Sequence, residues 1–235
     1  MMLISGFSFY GQQSQAIQEG PTRERRHREK NAFGIQVKPI IPSSMFRIVT
    51  DEIEQEGIQY FVTPQTGYAF GAAIRFGLSP RFTAQADINY IHRNFSFKSV
   101  DGDKQTEVDL RVVSYEIPLL LTYFVRATEE IYMGPSTGLS FQFLPTNLFS
   151  RNTPIEQLSL KRRWVSTSLV VNVGFEWRTE SSGYFYFGPT YNMYFYPMYQ
   201  TRIQYKDAQL REHRVYTELH GDYFGFIIRY IFDPD

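Results

Sequence analysis

Residues 66–97 alternate in character with a period of two. In the first arm Tyr68, Phe70, Ala72, Ile74 and Phe76 share one face, and Gly67, Ala69, Gly71, Ala73, Arg75 and Gly77 share the other. Leu78-Ser79-Pro80 breaks the run, and the second arm sets Phe82, Ala84, Ala86, Ile88 and Tyr90 against Thr83, Gln85, Asp87 and Asn89. Such alternation marks β-strands, because successive side chains leave a pleated strand on opposite sides. Ser-Pro beside glycine makes the reversal. A soluble sheet would show water a face rich in Lys and Glu. Here the non-aromatic face is Gly, Ala and Thr with an occasional Arg or Asp, which suits a cramped interior. The aromatic face then looks outward, and it needs lipid around it. The pattern predicts a transmembrane β-hairpin.

The same period recurs in residues 33–41, 108–125, 131–143, 164–178, 184–196 and 223–232. The phase changes twice. Phe95 and Phe97 leave the parity of Tyr90, where a bulge or the strand's emergence from the membrane is expected, and Val108, Leu110 and Val112 leave that of Tyr115 to Tyr123, which places a bulge near Val113. About eight strands result. Connections 42–65, 99–107, 144–163 and 197–221 read as long or polar, and they alternate with short turns at 78–80, 126–129 and 179–183. That is the habit of an all-β, antiparallel, up-and-down transmembrane β-barrel with short periplasmic turns and longer extracellular loops. Both termini are then expected on the periplasmic side of a bacterial outer membrane.

Composition agrees. Of 235 residues 17 are Tyr and 21 Phe, and the sequence holds no run long enough for a helical span. Lys+Arg and Asp+Glu both number 24, which argues against a nucleic-acid partner. The absence of cysteine removes disulfides, thiol catalysis and Cys-based metal sites. Residues 1–16 read as the remnant of a secretory signal, with an apolar core from Leu3 to Tyr10. Residues 17–31, dense in Arg, Glu and Lys, read as a flexible tether, leaving 32–235 for the barrel.

Inward parity places Lys38, Arg75, Asp87, Glu116, Glu176 and Arg229 in the lumen, with Arg178 a further candidate. An eight-stranded barrel has room only for side chains, so opposite signs should pair there and fill it. Tyr123, Tyr132, Trp164, Trp177, Tyr184, Tyr223 and Tyr230 are expected to form aromatic girdles. His92 and His220 with Ser96, Ser166 and Glu218 permit a Ser-His-carboxylate hydrolase, although no spacing specifies one. No spacing specifies a metal or cofactor either, and none is expected.

Gly67-Tyr68-Ala69-Phe70-Gly71, Leu78-Ser79-Pro80-Arg81-Phe82, Tyr115-Glu116-Ile117-Pro118-Leu119-Leu120 and the stretch from Tyr132 to Gly138 resemble the PorT-like outer-membrane β-barrel family of Bacteroidota. The resemblance covers roughly residues 33–232 and implies an eight-stranded barrel, in some members tied to type IX secretion. The expectation is a non-enzymatic scaffold or accessory subunit of an envelope machine. Its partners would be outer-membrane lipid and other envelope or secretion proteins. The alternatives are a lipid-modifying hydrolase and a barrel that binds or adheres through its loops.

Overall fold

Strand alternation carries further along the chain than the sequence pattern suggests. The computed structural model describes residues 31–43, 52–55, 57–102, 104–145, 148–152, 155–179, 182–206 and 212–232. The signal remnant and all of the tether but Asn31 lie outside them. Sixteen strands are described: β1 (Ala32–Pro42), β2 (Glu52–Gln55), β3 (Ile58–Gly77), β4 (Phe82–Asp101), β5 (Lys104–Tyr123), β6 (Val125–Arg126), β7 (Ile131–Met133), β8 (Ser136–Phe143), β9 (Leu148–Asn152), β10 (Ile155–Lys161), β11 (Val165–Asn172), β12 (Phe175–Arg178), β13 (Tyr184–Tyr194), β14 (Tyr199–Lys206), β15 (Glu212–Leu219) and β16 (Tyr223–Ile231).

Eight staves close a ring. They are β1, β3, β4, β5 with β6, β7 with β8, β11 with β12, β13 and β16. Each pairs antiparallel with the next, and β1 pairs with β16 to complete the circle. The protein is an up-and-down transmembrane β-barrel. Its outer band is apolar on every stave: Ile35 and Val37 on β1, Phe70 and Ile74 on β3, Leu119 and Leu121 on β5, and Phe226 and Ile228 on β16 are all exposed. Water would not sustain such a band, whereas lipid does. The short turns gather at the end that holds Ala32, Gly77 and Ile231, here the terminal end. At the turn 78–81 the Ser79 hydroxyl accepts from the Phe82 amide at 3.1 Å.

The opposite end is a second structure. β3, β4 and β5 are each 20 residues long, about 66 Å at ~3.3 Å per residue, roughly twice what a tilted membrane stave needs. Their upper halves, with β2 on one edge, form a sheet that stands clear of the apolar band. The connections 144–163 and 197–221, expected as loops, carry a four-stranded sheet ordered β15-β14-β10-β9. The two sheets enclose one apolar cluster that includes Tyr60, Val62, Phe95, Phe97, Val108, Leu110, Tyr199, Ile203, Val215 and Leu219. This cap is built like a soluble sandwich over the barrel mouth. Glu107, Asp109 and Arg111 on β5 face water while Val108, Leu110 and Val112 face in.

The bulge expected near Val113 does not occur, because β4 and β5 hold one register from Phe82 opposite Tyr123 to Asp101 opposite Lys104. Parity stays constant, and the chemistry of the faces inverts where the chain leaves lipid. The break read after Tyr90 has the same cause, since Phe95 and Phe97 point inward with Asp87, Asn89 and Arg93. A register shift does occur, in β3 between Gln65 and Tyr68. Above it the inward parity changes to Ile58, Tyr60 and Val62. The polar turn at 99–107 contracts to a tight reversal in which Gly102 takes φ +57°, a value costly for a residue with a Cβ.

Candidate functional site

The lumen holds the chemistry of this chain, in layers stacked from the terminal end to the cap. At the terminal end Glu176 is clamped from two sides. Arg75 Nη1 donates to Oε2 at 2.5 Å, and Arg178 donates to Oε1 through Nε at 2.9 Å and Nη2 at 2.8 Å. The Arg178 guanidinium lies 3.9 Å above the Tyr132 ring and 5.3 Å from the Tyr184 ring, and Phe124 sits beside both arginines. Cation and ring attract because the π face is negative, so this aromatic lid keeps its charges in place.

The next layer is centred on Arg229. Its Nη2 meets Asp87 Oδ2 at 3.2 Å, Nε reaches Gln36 Oε1 at 2.8 Å and Nη1 reaches Gln85 Oε1 at 2.8 Å. Gln36 and Gln85 in turn donate to Asp87 at 3.0 and 2.6 Å. β1, β4 and β16 supply this layer, and parity alone brings their inward residues together.

Glu116, on β5, forms the third layer and is 0 % exposed. Lys38 Nζ lies 3.4 Å from Oε2, the Ser140 hydroxyl donates to Oε1 at 2.9 Å, Asn192 Nδ2 donates at 2.5 Å and the Tyr223 hydroxyl at 3.3 Å. Above it Arg93 lies between the rings of Tyr194 and Tyr223, at 5.4 and 5.3 Å, and donates to the Tyr194 hydroxyl at 2.9 Å and to Ser114 at 3.3 Å. The apolar core of the cap follows directly. A carboxylate buried in low dielectric is tolerable only when charge and hydrogen bonds both oppose it, and each of these has several partners. The ion pairs thus tie opposed staves to one another across the lumen.

All six expected lumen charges therefore face inward and fall into three clusters. Arg178 joins them. Arg93 was missed, although it shares the parity of Asp87 and Asn89; the misplaced phase change concealed it. The expected girdle needs correction. Trp164, 73 % exposed, and Trp177 face outward, and Tyr123 and Tyr230 sit partly exposed among outer aromatics such as Phe82 and Phe185. Tyr132, Tyr184 and Tyr223 are 3, 4 and 1 % exposed and point into the barrel. They have the right height for a girdle but the wrong parity; their rings lie against Arg178 and Arg93, and the Tyr223 hydroxyl donates to Glu116. Tyr68, Tyr90 and Tyr115, with His92, line the outer surface on the cap side, where Tyr68 stacks on His92 at 5.0 Å.

The serines and histidines do not assemble as a hydrolase would require. Ser96 donates to Glu107 at 2.5 Å and lies four residues along β4 from His92, about 13 Å at ~3.3 Å per residue. Ser166 is buried on the inward face of β11, and His220 lies 3.9 Å from Glu218. Among the described residues no group of three or more His, Cys, Asp or Glu could hold a metal ion. A small recess lined by Gln65, Arg93, Asn94, His220 and Asp222 opens beside the β3 bulge.

No family model matches this sequence, and no curated protein matches it. Among solved structures it is similar to the outer membrane protein OprG from Pseudomonas aeruginosa, with TM-score 0.56 and 13 % identity over 88 % of this chain and 98 % of that one. The overlap with the β domain of the Bordetella autotransporter BrkA, at TM-score 0.26 and 7 % identity over 86 % and 98 % of the two chains, is too slight to inform the architecture. The chain shares with OprG the fold of an outer-membrane β-barrel.

Proposed function

We propose that this protein is a closed barrel of the bacterial outer membrane, acting as an anchor and surface platform within an envelope assembly rather than as a pore or an enzyme. The observation that carries this reading is the continuous filling of the axis, from the Arg178 lid through the Arg229 and Glu116 clusters into the apolar core of the cap. A molecule built to pass solutes would not close its bore with paired charges and then cover the mouth with a sandwich. What remains for recognition is the cap itself. The gathering of short turns at the terminal end supports both termini on the periplasmic side and the cap at the cell surface. The resemblance to PorT-like barrels supports protein secretion as the task of that assembly. The hydrolase alternative has no support in the placement of its serines and histidines. Affinity purification from native outer membranes in mild detergent tests the reading. An envelope protein should be retained in fixed stoichiometry, and recovery of this chain alone as a monomer would contradict the platform role.

A further inference from the structure

The layer of charges at the terminal end is not balanced. Arg75 and Arg178 both donate to Glu176, so two guanidinium groups share one carboxylate. Glu176 and Arg75 are buried, and Arg178, the most open of the three, is 11 % exposed. The layer above sets Arg229 against Asp87. Nearer the cap Lys38 faces Glu116, and Asp222 lines the same recess as Arg93. Among the described lumen residues the surplus cation therefore lies at the terminal end. The rings of Phe124, Tyr132 and Tyr184 attract it but do not cancel its charge. A charge held out of water needs an opposite charge beside it.

The hydrogen-bond donors at this level point to what supplies that opposite charge. Arg75 Nη1 is taken by Glu176. Among the described residues neither Arg75 Nε nor the Thr83 hydroxyl has a hydrogen-bond partner, and both side chains are buried. Pairing of β3 with β4 sets Arg75 opposite Gln85 and Gly77 opposite Thr83. Thr83 is thus the diagonal neighbour of Arg75 on the inward face, within reach of a long side chain. Gly77 puts no side chain between them, and Gln85 is already engaged with Arg229 and Asp87. Water would satisfy an N–H and an O–H, but only an anion also offsets the surplus charge. We propose that a small monovalent anion, a halide such as chloride, binds in the lumen between Arg75 Nε and the Thr83 hydroxyl, behind the aromatic lid. The single surplus charge selects a monovalent ion. The inference needs the barrel and stands apart from the platform role.

Linkage tests the site without depending on how fast the ion exchanges. A ligand that binds only the folded state raises stability with the logarithm of its concentration once that exceeds the dissociation constant. The folded protein in non-ionic detergent is unfolded with urea while sodium gluconate is replaced by sodium chloride at constant ionic strength. The urea midpoint of the parent should rise with chloride. Thr83→Val keeps the shape and removes the hydroxyl, so the rise should need several-fold more chloride. Arg178→Gln removes the surplus charge, and its response should vanish. Glu176→Gln acts in the opposite sense: it leaves two arginines without a carboxylate, and the rise should begin at several-fold lower chloride. A merely structural role for Glu176 would lower the midpoint and leave its chloride dependence unmoved. Heat-dependent migration on gels shows which variants are folded, and each substitution decides separately, so the loss of one leaves the test intact. A parent midpoint indifferent to chloride would overturn the site. So would a chloride dependence shared equally by the parent and the folded variants.

Discussion

Glu116 meets an ammonium, a hydroxymethyl, a carboxamide and a phenol, drawn from β1, β8, β13 and β16. Its removal leaves Lys38 buried without its anion, and a buried pair broken on one side typically costs ~3–5 kcal/mol. Glu116→Ala should therefore lose stability on that scale in urea unfolding from lipid vesicles, whereas a change under ~1 kcal/mol would show that water reaches the site. Residue-scale features divide sharply in how legible they are. The inward charges follow from parity alone, because a strand has only two faces. Which partner each charge meets depends on register between distant strands, and a single sequence does not contain it. Tyr223 shows the limit. Its neighbour Phe224 shares the parity of the exposed Phe226 and Ile228, so alternation turns Tyr223 inward, yet a tyrosine at a strand end invites a girdle reading.

At the scale of the element, β11 offers a direct comparison. Val171 lies on the exposed face opposite Thr137 and Tyr191, and Asn172, one residue on, is buried and donates to Ser136 at 3.0 Å. An arginine facing lipid at mid-depth costs ~2–4 kcal/mol, because it leaves water and finds no partner. Asn172→Arg enters a crowded but polar lumen near Glu176. Val171→Arg should thus fold into vesicles markedly worse than Asn172→Arg, with the gap maintained at high salt; the reverse order would invert the faces. Within the membrane every stave was legible from its period. The cap strands were not, although Tyr199, Thr201 and Ile203 alternate with Gln200, Arg202 and Gln204. Outside lipid an apolar inward face and a polar outward face look like an ordinary soluble strand, and beside the reversed pattern of the barrel they read as a loop or a change of phase.

For the whole molecule the proposed platform role requires a closed axis. An eight-stranded ring leaves an interior that side chains can fill. Here three charge clusters and a lid of Phe124, Tyr132 and Tyr184 fill it, and the cap core covers the other mouth. Small residues complete the fit: Ala69 and Ala73 are wholly buried on the inward face, and a Cβ built on Gly138 would fall on the Leu119 carbonyl oxygen. A planar-bilayer recording of the purified, folded protein tests the closure. A closed axis should give a flat trace at both polarities, without stable unitary steps. Reproducible steps of constant size, altered in amplitude by Glu116→Gln or Arg229→Gln, would show that these charges line a conducting path and would contradict it.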